Sequence, residues 1–179
     1  MNSIHILGIS GSLRADSTNT IILNSFQEHL PRHVTFEIFQ GLGEFPHFSP
    51  ELQDTEPVTR FKNAIQQASG VIICTPEYAF GVPGTLKNAL DWTVGTGDLN
   101  DKPLAVISAS PLNSGGDKAL ASILLTLTAL GAKRNEHSAL SIPNIKQKIR
   151  DGKVTDSETI SLLKAQAENL MELISSVQG

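Results

Sequence analysis

The sequence is poor in the residues that usually announce a special environment: one cysteine, one tryptophan, one tyrosine and two methionines in 179 residues. A lone Cys74 has no partner for an internal disulfide, which fits a reducing compartment. No apolar run approaches the ~18 residues needed to span a bilayer. Residues 1–5 also lack the basic stretch and long apolar segment of a secretion signal, so a cytoplasmic location and no membrane partner are expected. Positive charge is scarce too, with 14 Lys+Arg against 18 Asp+Glu and a net charge of −4. A duplex binder needs a basic surface to displace counterions from phosphates, so nucleic acid is disfavoured as a partner. What is present is ordinary: 40% hydrophobic and 18% charged residues, with 14 Gly and 9 Pro. That balance excludes collagen-like, low-complexity and disordered chains. At roughly 150 residues per domain the chain fits one domain, 1–179. A chain of this size buries about 70% of its unfolded surface without disulfides or a structural metal.

Apolar strands alternate with amphipathic helices. Residues 4–9 form a nearly continuous apolar run ending in Gly8-Ile9-Ser10-Gly11, a buried strand that leads into a Gly/Ser loop. Ile22, Phe26 and Leu30 mark one face of a helix over 18–30, stopped by Pro31. Residues 33–39 alternate, with Val34, Phe36 and Ile38 on one side and Thr35, Glu37 and Phe39 on the other, as a second strand would. Residues 41–57 are polar and proline-marked and read as a surface connection. Pro57 opens a helix with Val58, Phe61, Ala64, Ile65 and Ala68 inward, and Gly70 is expected to stop it. A strand over 71–74, a helix opened by Pro83 and a strand over 104–107 come next. A helix over 117–130 and a weaker strand near 138–142 complete the alternation. The last helix begins at a capping box, Thr155-Asp156-Ser157-Glu158, and carries Ile160, Leu163, Ala167, Leu170, Ile174 and Val177 on one face.

Strands that are continuous apolar runs separated by helices imply a parallel sheet covered on both faces. Five of them point to an α/β, flavodoxin-like three-layer sandwich with a five-stranded parallel sheet of order 2-1-3-4-5. In such a sheet a ligand sits outside the carboxyl ends of the strands, where the strand order reverses. The segments leaving strands one, three and four, residues 10–19, 76–84 and 108–116, converge there and are also the most unusual stretches of the chain.

The first of these reads Ser10-Gly11-Ser12-Leu13-Arg14-Ala15-Asp16-Ser17-Thr18-Asn19 and runs into a helix. Backbone amides, a helix N-terminus, the hydroxyls of Ser12, Ser17 and Thr18, the Asn19 amide and the Arg14 guanidinium suit a terminal phosphate. Helix capping alone accounts for Ser17 or Asn19 but not for Arg14 between two hydroxyl clusters. No Gly-Lys pair completes a Walker A loop, and the glycine spacing is wrong for a dinucleotide fingerprint. Gly8-Ile9-Ser10-Gly11 is one residue from a nucleophile elbow, but Ser12 stands where the final Gly is required. In the second segment, Pro76-Glu77-Tyr78-Ala79-Phe80-Gly81, amides near Glu77–Phe80 can meet the polar edge of a flat heterocycle while Tyr78 and Phe80 cover apolar area. The same loop would also serve as a simple turn ahead of Pro83. His29 and His33 are separated by Pro31 and share no metal-binding face, and the other histidines have no ligand spacing, so no metal site is assigned. Cys74 reads as an inert core thiol and Trp92 as packing.

Gly11-Ser12-Leu13-Arg14 with Ser17 and Asn19, then Pro76-Glu77-Tyr78, Pro83-Gly84, Leu86-Lys87-Asn88-Ala89 and Asp91-Trp92, resembles the NADPH-dependent FMN reductase family. That family is flavodoxin-like and includes quinone, azo and chromate reductases. The resemblance spans about residues 1–135. It implies non-covalent FMN, with the phosphate among Ser12, Leu13, Arg14, Ser17, Thr18 and Asn19 and the ring against Pro76, Glu77, Tyr78, Ala79, Phe80 and Ser110. Ser110-Pro111-Leu112-Asn113-Ser114-Gly115-Gly116 resembles the family's third flavin loop, where Gly115 and Gly116 would let backbone approach the ligand. Many members carry Asn after Glu-Tyr; here Ala79 stands in its place and a side-chain hydrogen bond to the ring is lost.

The activity so implied is hydride transfer from NADPH or NADH, a transient co-substrate, to the flavin and on to a small acceptor: free flavin, a quinone, an azo compound or a metal oxyanion. Ping-pong kinetics follow, no side chain need act as acid, base or nucleophile, and third-loop amides would stabilise charge on the ring. A homodimer or homotetramer is likewise implied. The competing readings are a flavodoxin-type electron carrier and a non-enzymatic flavodoxin-like binding module.

Overall fold

The computed structural model describes residues 3–14 and 16–178; Met1, Asn2, Ala15 and Gly179 lie outside the described residues. Five parallel strands form one sheet in the order β2-β1-β3-β4-β5. They are β1 (Ile4–Ser10), β2 (Val34–Ile38), β3 (Gly70–Thr75), β4 (Leu104–Ala109) and β5 (Ala139–Ile142). The helices between them are α1 (Thr18–Gln27), α2 (Glu56–Gln67), α3 (Gly84–Asp91) and α4 (Asp117–Ala129), and α5 (Ser157–Gln178) ends the chain. The flavodoxin-like strand order read from the apolar runs is the one observed.

Why the central strands lack hydrophobic alternation is plain from what covers them. Val71 and Ile73 of β3 point to one side with Leu104 and Val106 of β4, under Phe61, Ile65, Leu86, Leu90, Ile123 and Leu127 of α2, α3 and α4. Ile72, Cys74, Ala105 and Ile107 point to the other, under Ile22, Leu23 and Phe26 of α1 and Leu163, Ala167, Leu170 and Ile174 of α5. Every residue of β3 and β4 is buried, so period-two patterning has nothing polar to show. Edge strand β2 does alternate, with Val34, Phe36 and Ile38 half-buried and Thr35 and Glu37 exposed.

Several local expectations are corrected. Helix α1 ends at Gln27 instead of Leu30: the amides of Glu28, His29 and Leu30 bond three residues back, tightening the chain ahead of Pro31. Gly70 does not stop α2, which closes at Ala68; it opens β3, where a Cβ would lie 2.8 Å from Ile174 Cδ1 of α5. The connection 41–57 is not merely superficial. It contains a short 3-10 turn, Leu42–Glu44, with Leu42 buried. Phe45 packs edge-on against Phe39 and Phe61, and Phe48 against Trp92. Trp92 Nε1 and Asn88 Nδ2 both donate to the Pro46 carbonyl at 3.0 Å, pinning the connection to α3.

At the last helix Asp156, not Thr155, is the cap: its Oδ1 accepts from Thr159 N at 2.9 Å and Thr159 Oγ1 at 2.6 Å. Val177 is 46% exposed and leaves the apolar face expected for it. A hairpin of β6 (Ile149–Arg150) and β7 (Lys153–Val154) had no counterpart in the sequence reading. Its Asp151-Gly152 turn has φ +48° and +73°, the twist that suits a two-residue hairpin, and Val154 is buried against the α1–α5 layer. Among the described residues no helix is long and apolar enough to cross a membrane.

Candidate functional site

The carboxyl ends of β1, β3, β4 and β5 open into a cavity of about 300 Å³, at the small end of the range for ligand sites. The first loop supplies Ser12, Arg14, Asp16, Ser17, Thr18 and Asn19 to its wall. Ser17 is the N-cap of α1, with extended φ/ψ of −74° and 132°, and its Oγ accepts from the Asn19 backbone at 3.2 Å. Ser12 Oγ accepts from Arg14 N at 3.3 Å, turning the chain so that the exposed Arg14 reaches the cavity mouth. Leu13 points away, to Gly43 and a neighbouring hollow of about 330 Å³.

Pro76, Glu77 and Tyr78 of the second loop line the cavity; Ala79 and Phe80 do not. These two residues form the tip of a tight turn in which Tyr78 N donates to Gly81 O at 2.9 Å and Gly81 N to Tyr78 O at 3.0 Å. Both sit in the left-handed region, with φ of +48° and +61°. Among the described residues the amides of Glu77, Ala79 and Phe80 make no hydrogen bond within the protein. The Glu77 carboxylate is occupied otherwise: its Oε2 accepts from Lys118 N and Ala119 N, both at 3.0 Å, and so caps α4 from a distance.

From the third loop Ala109, Ser110 and Pro111 face the cavity. Gly115 and Gly116 lie behind it, and the close approach they permit is internal. Both have positive φ, +64° and +79°, and their carbonyls accept from Ser108 Oγ at 2.9 and 2.7 Å. The expectation that this loop offers amides to a ligand narrows accordingly. Ser110 N, Leu112 N, Gly115 N and Asp117 N already donate within the protein, and Lys118 N and Ala119 N are held by Glu77.

Ile145 and Lys146, from the loop leaving β5, complete the wall and were not anticipated. The Ile145 amide donates to Ser110 O at 3.0 Å and the Asn144 amide to Leu112 O at 3.2 Å, so the third and fourth loops are laced together. The signal was available in the topology: β5 is the neighbour of β4, and its exit must fall on the same edge. The site therefore has two cations, Arg14 and Lys146, and the α1 N-terminus against one acidic side chain, Asp16, not otherwise engaged among the described residues. A larger groove of about 720 Å³ between β2 and α2 contains none of these wall residues.

Hydroxyls, a helix N-terminus and a guanidinium at one end, and an aromatic side chain with loop amides at the other, suit a ligand with an anionic tail and a flat polar head. A family model described as NADPH-dependent FMN reductase matches residues 4–147. A quinone reductase of Escherichia coli is 30% identical over 184 residues, covering 98% of this chain and 97% of that protein. An NAD(P)H-dependent FMN reductase of Pseudomonas aeruginosa is 27% identical, with 99% of each chain covered. Among solved structures, the flavoenzyme NAD(P)H:(acceptor) oxidoreductase FerB of Paracoccus denitrificans matches with a TM-score of 0.85 at 29% identity, covering 97% of this chain and 98% of that one.

Proposed function

The chain belongs to the NADPH-dependent FMN reductase family and is an FMN-dependent NAD(P)H oxidoreductase, and from that premise we propose that the four-loop cavity is its flavin site and a quinone its acceptor. The observation that carries the assignment is the polarity of the cavity. Ser12, Ser17, Thr18, Asn19 and Arg14 gather at the N-terminus of α1, while Tyr78 and Ser110 stand across from them. A terminal phosphate fits the first group: hydroxyl and amide donors satisfy its oxygens, and Arg14 and the helix dipole offset its charge. The ring fits between the second and third loops, where the Glu77 amide can meet its polar edge. When bound, FMN supplies the chemistry, taking a hydride from NAD(P)H and giving electrons to the acceptor.

What the chain contributes is orientation. Arg14 and Lys146 hold the anionic end, and the Tyr78–Gly81 turn sets Tyr78, 55% exposed, beside the head. No side chain is required to move a proton. A small planar quinone can follow the nicotinamide into the same open mouth, which makes the kinetics ping-pong. The single domain is expected to act as a homodimer: the outward face of α4 offers Ala121, Ser122, Leu125 and Ala129 to solvent with no charge among them, Leu125 at 75% exposure. Single-copy mass at working concentration would contradict that assembly.

The direct test is the visible spectrum of the purified protein, reconstituted with FMN if colourless, followed by anaerobic NADPH and then a benzoquinone. Bleaching of the flavin band and its return with quinone are expected. Arg14→Ala should weaken FMN binding by about 1.5–3 kcal/mol, the range for a charge-assisted hydrogen bond. Unchanged affinity in that variant removes the phosphate assignment.

A further inference from the structure

The one thiol of the chain takes no part in the function above, yet its contact is specific. Cys74 is fully buried at the end of β3, and burial raises its pKa, so the sulfur keeps its proton. That proton is directed at Asn19: Cys74 Sγ donates to Asn19 Oδ1 at 3.4 Å. Asn19 is 2% exposed, and its Nδ2 donates in turn to Ser17 Oγ at 3.1 Å. The Asn19 backbone amide reaches the same oxygen at 3.2 Å. A hydroxyl has two lone pairs and one proton. With both lone pairs of Ser17 taken, its proton can only be given away, and Ser17 lines the cavity.

We propose that Cys74 is a positioning residue for flavin specificity: by fixing which end of the Asn19 carboxamide faces Ser17, it makes the Ser17 hydroxyl an obligate donor to the FMN phosphate. The proposal rests on the reading of the cavity as the FMN site. A carboxamide can be turned end for end with little change of shape, so its orientation is decided by its neighbours. A thiol is a donor and only a feeble acceptor, which draws Oδ1 toward Cys74 and leaves Nδ2 for Ser17. In the opposite orientation Oδ1 would face Ser17, capture its proton and turn a lone pair toward the phosphate. Removing the thiol proton removes the bias between the two.

The experiment compares FMN with riboflavin, which lacks the phosphate, on the full-length flavin-free protein by quenching of flavin fluorescence. The wild type should prefer FMN strongly. Cys74→Val, close in volume and suited to a strand, and Cys74→Ala should each lower that preference about tenfold, with riboflavin affinity unchanged. A tenfold loss is the low end of the range for a hydrogen bond to a charged group. Cys74→Ser, which keeps a donor but adds a full acceptor, should recover only part of it. Thermal unfolding of each variant identifies any that does not fold, and either apolar variant suffices. An unchanged FMN-to-riboflavin ratio in both apolar variants overturns the proposal while leaving the flavin site standing. An equal loss for both flavins also overturns it, because that is the mark of a purely structural residue. A wild type that does not distinguish the two flavins removes the phosphate reading itself.

Discussion

At the tip of the second loop, two residues with side chains occupy a conformation that favours glycine and asparagine. Ala79 and Phe80 have φ of +48° and +61°, where a Cβ crowds the following carbonyl at roughly 1–2 kcal/mol per residue. The turn persists because Tyr78 and Gly81 exchange both of their backbone hydrogen bonds. Ala79 is exposed, so replacing it removes no packing. Ala79→Asn retains a side chain that tolerates this region and should stabilise the protein by about 1 kcal/mol. Ala79→Gly lifts the whole penalty but gives the unfolded chain about 0.4–1 kcal/mol of extra freedom, leaving a gain near 0.5 kcal/mol. Ala79→Val should lose about 1 kcal/mol or more, because a β-branched residue is a genuine outlier at positive φ. The expected order is Asn, Gly, Ala, Val. Urea unfolding of the flavin-free protein reads it as a shift in midpoint at constant slope, and thermal unfolding as about 2–4 °C per kcal/mol. An Asn variant no more stable than the wild type, or a Val variant that matches it, would refute the conformational argument.

Three further outcomes are expected. Gly70→Ala places a Cβ 2.8 Å from Ile174 Cδ1 and should destabilise by about 1–3 kcal/mol. Ile174→Val removes that methyl, so the double variant should be less destabilised than the sum of the singles, and a thermodynamic cycle measures the difference. Gly116→Ala combines φ of +79° with a collision against Ser108 Oγ and should lose about 2–5 kcal/mol; a midpoint within error of wild type would show that the third loop yields easily. The Thr159 hydroxyl, and after it the Thr159 amide, hold the Asp156 carboxyl below the usual range. A lowered carboxyl pKa stabilises the fold above the unfolded value, about 3.9, and the benefit disappears as pH falls through the folded value. The stability difference between wild type and Asp156→Asn should thus be constant near neutrality and shrink below pH ~4; a difference that ignores acid would dismiss the cap.

How much of this was legible beforehand depends on whether the cause of a feature lies near it in the chain. Strand order followed from continuous apolar runs, since β3 (Gly70–Thr75) and β4 (Leu104–Ala109) are enclosed on both sides and say so in their composition. The first loop announced itself because a cap explains Ser17 but not Arg14. The anchoring of 41–57 was hidden, because Phe45 and Phe48 acquire meaning only from Phe39, Phe61 and Trp92, which lie outside that connection. Gly70 looked like a helix stop for the same reason: the methyl that forbids a side chain there belongs to Ile174, over a hundred residues away. Gly115 and Gly116 suggested room for a ligand, whereas Ser108 and Ser141 fill the space in front of them. Lys146 went unnoticed because β5 is short and only half-buried, so its exit did not stand out.

Glu77 shapes the charge pattern of the cavity mouth. Helices α1 and α4 both begin at this edge of the sheet, beside the first and third loops, and in isolation each would present a positive end there. By accepting from Lys118 N and Ala119 N, the Glu77 carboxylate silences the α4 terminus and leaves α1, with Arg14 and Lys146, as the attracting pole. The mouth thus carries a gradient instead of a uniform field. On the proposed reading of the cavity, an anion-tailed molecule arriving by diffusion would be turned tail-first, with its uncharged head toward the second loop. Glu77→Gln would keep the two hydrogen bonds but restore the second pole, and the association rate of FMN would then rise with a steeper dependence on salt.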